Sequence, residues 1–329
     1  HNVDLGIDLD LFNGLFQMEF SYYHKRTVDL VNSVTLPSST GFTSYKDNIG
    51  EVVNKGFEVQ LRSTLLNTKD WVVAVFANLG HNENEITKIS DSMKEYNRRV
   101  MDKYANYDTG YNKGDAAYAD TYLQYVEGGS LTSIFAVKSL GINPANGREV
   151  FVRPDGTITY DWNAADQVVV GNQESKIRGT FGFNLRWKQF SLFSTFLYEC
   201  GGQRYNSTLV DKVENARIAD GNVDRRVFTG RWQKPGDLAP YGRFTKGIVS
   251  VTRPTSRFVQ DYNMLSFNSL TLSYDFDMAW MKKAHIGMLR AELSGNDLFH
   301  LSTVRIERGL DYPYARSFSA SLKVSLSLI

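Results

Sequence analysis

Residues 317–328 read SFSASLKVSLSL, and this stretch decides the fold. Every even-numbered position from Phe318 to Leu328 is apolar, and every odd-numbered position is serine except Lys323. A β-strand places alternate side chains on opposite faces, whereas the 3.6-residue repeat of a helix would spread these apolar residues around its circumference. The stretch is therefore predicted to be a strand with one apolar face and one polar face.

The same two-residue period predicts eight further strands along the chain. They cover about residues 1–11, 15–26, 55–66, 71–79, 177–187, 190–199, 262–276 and 286–295. The run 190–199 is too uniformly apolar for its faces to be assigned.

The connections between these strands alternate strictly between short and long. Short connections cover residues 12–14, 67–70, 188–189 and 277–285, and long ones cover 32–48, 80–176, 200–261 and 296–316. A small hairpin expected within 147–160 belongs to the second long connection. Short turns at one end and long loops at the other are typical of outer-membrane barrels. The predicted fold class is all-β, an antiparallel transmembrane β-barrel portion with long extracellular loops.

The charged residues within the strands support a barrel with lipid outside and water inside. The predicted lumen-facing residues are Glu58, Arg62, Arg178, Arg186 and Lys323, and the predicted lipid-facing residues are Phe318, Leu322, Val324 and Leu326. Lys or Arg on the lipid face would cost roughly 2–4 kcal/mol at the bilayer midplane. Aromatic residues near the short turns, Trp71, Trp187, Tyr274 and Trp280, are predicted to form an interfacial girdle.

Composition excludes several other classes of protein. The chain has 37 Lys+Arg against 36 Asp+Glu in 329 residues, a balance that argues against a nucleic-acid binder. The single cysteine, Cys200, and the five scattered histidines form no catalytic or metal-binding spacing. We therefore expect no enzyme, no metal site and no cofactor. No apolar run is long enough for a membrane-spanning helix.

Nine strands do not close a barrel, because single-chain bacterial barrels have an even number of strands. An open nine-stranded sheet would also leave two unpaired edges in lipid. We therefore expect residues 1–329 to be the C-terminal part of a larger barrel.

Several segments resemble a known family. The run 48–58, NIGEVVNKGFE, looks like a barrel segment of the SusC/RagA-like TonB-dependent outer-membrane transporters of Bacteroidetes. The segments 141–144 (GINP), 231–237 (RWQKPGD), 256–259 (SRFV), 270–274 (LTLSY) and 295–299 (GNDLF) agree, as do 309–313 (GLDYP) and 315–318 (ARSF). Together, and in this order, they cover nearly the whole chain.

This resemblance implies active import across the cell outer membrane. Such transporters work with a SusD-like surface lipoprotein and with TonB, and they carry an oligosaccharide or a peptide. The nine strands would be the last nine of 22, without the export signal, TonB-contacting segment and plug domain. Loop aromatics expected to contact ligand or partner are Tyr104, Tyr107, Tyr122, Tyr125, Trp162, Trp232 and Tyr241.

Two alternatives remain open at this point. One is a passive outer-membrane binding or adhesion barrel, and the other is a soluble β-sandwich that binds carbohydrate through its aromatic loops. An upstream plug domain would favour active transport, and independence from detergent would favour the sandwich.

Overall fold

A computed structural model describes residues 1–35, 44–48, 50–108, 116–216, 218, 221–244, 251–305 and 316–326. In chain order the strands are β1 (Asn2–Leu11), β2 (Phe16–Thr27), β3 (Val31–Thr35), β4 (Ser44–Asn48), β5 (Gly50–Asn67), β6 (Trp71–Ile89), β7 (Ser133–Ile142), β8 (Glu149–Val152), β9 (Ile158–Thr159), β10 (Gln167–Asn172), β11 (Ile177–Trp187), β12 (Phe190–Tyr205), β13 (Val259–Asp275), β14 (Ile286–Ser302) and β15 (Ser317–Leu326). The α-helices are α1 (Asp91–Ala105), α2 (Ser207–Leu209), α3 (Arg226–Thr229) and α4 (Ala279–Lys283). None of the described helices is both long and apolar enough to cross a membrane.

Nine of the strands form one antiparallel sheet in the order β1-β2-β5-β6-β11-β12-β13-β14-β15. Strands that are neighbours in this sheet follow one another along the chain, apart from the short strands inserted in the long loops. The nine predicted strands and the alternation of short turns with long loops are confirmed. The small hairpin β8–β9 lies inside the long loop, as expected from the sequence.

Near the short turns the cross-strand register carries each side-chain face from β11 to β15. Arg186 pairs with Ser191, which pairs with Ser273, then Glu292, then Ser321. Directly opposed residues of an antiparallel pair share a face. We call this face, which also carries Lys323, the polar face.

The opposite face is equally continuous. Trp187 pairs with Phe190, then Tyr274, Ala291 and Leu322. We call this the apolar face.

The apolar face is open to its surroundings. Leu322 is 63% exposed, Leu326 69% and Phe318 74%, and Leu293 on the neighbouring strand is 59% exposed. A β-sandwich would bury this face under a second sheet, but no such layer covers it in the described part of the chain. The soluble-sandwich alternative therefore has no support in the fold.

Several strands continue well beyond their predicted ends on the long-loop side. β5 has 18 residues and β6 has 19, whereas a membrane-spanning strand needs about 9–11. The apolar alternation stops where a strand leaves the lipid, because both of its faces then meet water or protein. The sequence pattern therefore marks only the membrane part of each strand.

The two longest loops pack together into a layer at the end of the extended strands. We call the described residues of 90–176 and 206–258 the loop layer. It contains α1, which begins where the Ser90 side chain accepts a hydrogen bond from the Met93 amide, and a four-stranded sheet in the order β10-β7-β8-β9. The Trp162 indole donates to the Pro254 carbonyl at 2.9 Å, which joins the two loops.

Gly182 on β11 provides a test of strand packing. A Cβ there would come within 2.1 Å of the Ser194 carbonyl oxygen and 2.6 Å of the Phe76 ring. Gly182→Ala should therefore destabilise the barrel by about 1–3 kcal/mol, an ordinary cost of overpacking. Heat-induced unfolding followed by gel mobility would measure the loss. Gly80→Ala is the matched control, because its Cβ would meet nothing closer than 3.8 Å; equal unfolding temperatures for the two variants would contradict this packing.

Candidate functional site

The polar face around β6 brings together most of the residues predicted to face the lumen. Gly80 lies between Glu58 on β5 and Arg178 on β11, and Phe76 pairs with Arg62. Arg186 follows on the same face near the short turn. The five predicted residues, including Lys323, thus share one face, although they come from three strands, β5, β11 and β15.

A recess of about 270 Å³ opens on the polar face beside Arg62. Its lining includes Gln17, Gln60 and Phe76, together with the carboxylate of Glu19. Carboxamides both donate and accept hydrogen bonds, so the recess can match hydroxyl groups as well as an anion. The register of three strands assembles this lining, and no local motif marks it in the sequence.

An aromatic pair lies on the polar face next to this recess. The rings of Phe76 and Phe193 stack with centroids 5.8 Å apart and planes at 14°. Gly182 lies beside Phe76 and leaves room for the ring. The sequence did not reveal this pair, because no face could be assigned to the run 190–199.

Two ion pairs cross strands on the polar face of β13, β14 and β15. Arg290 contacts Asp275 through two hydrogen bonds of 2.5 and 2.8 Å, and Lys323 contacts Glu292 at 2.9 Å. These two pairs balance four of the charges on β13, β14 and β15.

Aromatic rings of the apolar face cluster at the short-turn end. Trp71 and Trp187 lie 5.8 Å apart, Trp187 and Phe190 6.0 Å, and Phe190 and Tyr274 4.7 Å, measured between ring centroids. Trp280 lies on α4 in the adjoining connection and is 49% exposed. This is the position where an interfacial girdle is predicted.

Three of the seven singled-out loop aromatics lie in the core of the loop layer. Tyr104, Tyr107 and Trp162 pack in one buried cluster. Burial raises the pKa of the Tyr104 hydroxyl, which donates to the Asp120 carbonyl at 2.5 Å. In this structure these rings pack against the protein itself.

The other four loop aromatics are also engaged within the loop layer. Tyr241 is buried in a second cluster, and the Trp232 indole donates to the Pro144 carbonyl at 2.8 Å. Tyr122 and Tyr125 are half-buried. Ligand or partner contact by any of these seven rings stays a prediction.

A buried ion cluster holds the two long loops together. The Arg257 guanidinium contacts Glu149 at 2.9 Å and Glu214 at 2.8 Å, and all three side chains are at most 10% exposed. Burial alone would lower the pKa of Arg257, but the two carboxylates outweigh it and raise that pKa. Thr255 donates to the second oxygen of Glu149 at 2.6 Å. The sequence offers no signal for this cluster, because its members are more than 40 residues apart.

The described residues hold no cluster of His, Cys, Asp and Glu suited to a metal ion. The candidate site consists of the polar face, its recess and the loop layer.

Comparison with known proteins shows which proteins this chain resembles. Residues 1–127 match the family described as TonB dependent receptor-like, beta-barrel. TonB-dependent receptor P3 of Formosa agariphila is 26% identical over 95% of this chain and 30% of its own length. TonB-dependent receptor SusC of Bacteroides thetaiotaomicron is 22% identical over 98% of this chain and 31% of its own. The chain thus spans about a third of the length of these curated relatives.

Solved structures agree with the fold. The structure of the RagAB peptide transporter superposes with a TM-score of 0.75 at 20% identity, covering 98% of this chain and 35% of that one. The RagAB peptide importer in its open-open state gives a TM-score of 0.74, also at 20% identity, covering 99% of this chain and 34% of that one.

The open apolar face, the polar face and these matches define an integral β-barrel of the outer membrane. Within that class residues 1–127 match the TonB-dependent receptor barrel family, and the predicted likeness of the chain to the SusC/RagA-like transporters of Bacteroidetes is confirmed. The relatives are transporters and receptors rather than enzymes.

Proposed function

We propose that residues 1–329 form the C-terminal wall of a transporter that imports an oligosaccharide across the outer membrane in a TonB-dependent manner. A peptide is the second candidate cargo. The plug domain and the TonB-contacting segment would belong to another part of the same protein. The single observation that carries the proposal is one sheet with an open apolar face, a charged polar face and a large loop layer at one end.

In this proposal the apolar face meets lipid and the polar face meets the lumen. Phe318, Leu322, Val324 and Leu326 then contact the acyl chains, while Glu58, Arg62, Arg178, Arg186 and Lys323 are solvated inside. Water in the lumen solvates those charges without the penalty they would suffer in hydrocarbon.

The loop layer is the proposed contact for a SusD-like lipoprotein. Its packed clusters and the buried Arg257 cluster make it a preformed body rather than a set of independent loops. A preformed surface loses little conformational entropy when it binds. Capture of cargo between this surface and a lipoprotein is therefore physically reasonable.

Growth of a strain lacking the full-length gene, on panels of polysaccharides and peptides as sole nutrients, tests the function. We expect loss of growth on one polysaccharide, and the same loss when TonB is removed. A lipoprotein should co-purify with the full-length barrel. Import that persists without TonB would contradict the proposal and favour the passive barrel.

A further inference from the structure

Three arginines on the polar face follow β6 at regular steps. Arg186, Arg62 and Arg178 are the cross-strand partners of Val72, Phe76 and Gly80. These β6 positions are four residues apart, which is about 13 Å along a strand. The three residues therefore follow one another along β6, Arg62 on its β5 side and Arg178 and Arg186 on its β11 side, from the short turns towards the loop layer.

These three arginines differ from the other arginines of the nine-stranded sheet. Arg26, Arg204 and Arg290 each have a carboxylate within 4.0 Å, at 2.6, 3.7 and 2.5 Å respectively. Arg62, Arg178 and Arg186 form no ion pair with any described residue. In the proposed lumen, unpaired guanidinium groups would attract anions, because low-dielectric walls focus the field.

The recess beside Arg62 also presents uncharged polar groups and an aromatic ring. It presents the carboxamides of Gln17 and Gln60 and the ring of Phe76, which is held by stacking on Phe193. A sugar ring can lie against an aromatic face while its hydroxyl groups bond to carboxamides. A carboxylate or sulfate on that sugar would meet Arg62, whose planar fork binds such groups with two hydrogen bonds.

The lining favours a saccharide over a peptide. Its side chains are mainly polar, and Phe76 provides a flat surface rather than a deep apolar slot for a peptide side chain. Carboxylates also lie near the line of arginines: Glu19 lines the recess, and Glu58 lies across β6 from Arg178. These carboxylates weaken the binding of each anionic group. Weaker binding favours transport, because a transported ion must also leave its site.

We propose that β6 and its two neighbouring strands form an anion track for acidic oligosaccharides, carrying carboxylate or sulfate groups past Arg178, Arg62 and Arg186 in turn. This inference rests on the proposed import function and narrows its cargo.

Uptake by cells that express the full-length transporter with its lipoprotein tests the track. The probes are labelled oligosaccharides in matched sets, uronate-containing, sulfated and neutral, together with acidic peptides. We expect uptake of an acidic oligosaccharide, reduced roughly tenfold by Arg62→Gln and further by Arg62→Gln with Arg186→Gln, as expected for loss of hydrogen bonds to a charged group. Uptake should also fall with rising salt.

Lys69→Gln is the matched control, since it removes one exposed positive charge in the short connection 67–70, outside the candidate site, and should leave uptake unchanged. Uptake of neutral sugars only, or of acidic peptides only, would overturn the track and leave the import function standing. Equal losses in all three variants at normal barrel yield would also overturn it. No uptake of any probe by the unmodified transporter would instead count against the proposed function.

Discussion

Arg257→Met should loosen the loop layer by about 3–5 kcal/mol, the usual cost of removing one member of a buried ion pair. The substitution leaves Glu149 and Glu214 buried without their counter-charge. It also removes the hydrogen bond from the guanidinium to the Pro240 carbonyl at 2.5 Å. Because these contacts join the two long loops, both loops should become accessible together while the barrel strands stay folded.

Limited proteolysis and hydrogen exchange of the full-length protein would measure this effect. Residues 133–142 and 206–216 should lose protection in the variant, whereas β11 and β12 should keep theirs. Arg98→Met is the matched control, because the Arg98 side chain is 63% exposed and its ion pairs on α1 are worth at most about 1 kcal/mol.

A triple variant tests whether the loss of protection in Arg257→Met comes from uncompensated charge or from altered packing. Arg257→Met combined with Glu149→Gln and Glu214→Gln removes the uncompensated charges and should recover part of the lost protection. If the triple variant were less protected than Arg257→Met alone, the buried charge could not be the cause of the destabilisation.

Leu322→Arg and Val324→Arg should impair insertion of the barrel by roughly 2–4 kcal/mol each, the cost of a cation on the lipid face near the midplane. Leu322 lies about 13 Å along β15 from Leu326 at the short-turn end. The side chains of Leu322 and Val324 are both more than half exposed on the apolar face.

Ser321→Arg and Ser325→Arg are the matched controls, one residue away on the polar face. The yield of folded protein in outer-membrane fractions, read from heat-dependent gel mobility, compares the two pairs. Equal yields would show that these two faces do not meet different solvents.

The sequence predicted the membrane part of the fold because lipid and water impose a strict two-residue period there. It predicted β15 from its first residue, since every side chain between Ser317 and Leu326 follows that period, and the last two residues of the predicted strand lie outside the described residues. It missed the last ten residues of β6, from Gly80 to Ile89, where polar side chains occur on both faces. Tertiary contacts decide that segment, including the hydrogen bond that the Asn84 carboxamide donates to the Glu174 carboxylate at 2.8 Å.

The two faces of β12 could not be assigned from the sequence for a related reason. Its pairing with β13 shifts between Thr195 and Phe196 and again between Glu199 and Gly202. Each bulge changes which side chains share a face. Phe193 precedes both shifts and lies on the polar face because it is two residues from Ser191, so its apolar residue type does not reveal its face.

The candidate site was only partly predictable. Arg62, Arg178 and Arg186 could be assigned to one face from alternation alone, but their alignment along β6 depends on register between strands distant in sequence. For the loop aromatics the residue type suggested exposed stacking surfaces. In the structure Tyr104 and Trp162 are instead part of a buried core, which could not be inferred without the fold of the loops.

The length of β6 fixes how far the loop layer stands from the lipid. At about 3.3 Å per residue its 19 residues extend for roughly 60 Å, or about 45 Å of height at a typical tilt. An apolar band about 25 Å tall leaves a collar of roughly 20 Å above the acyl chains. A partner held by a lipid anchor would therefore need about six extended residues between its anchor and its folded domain to reach the top of this collar.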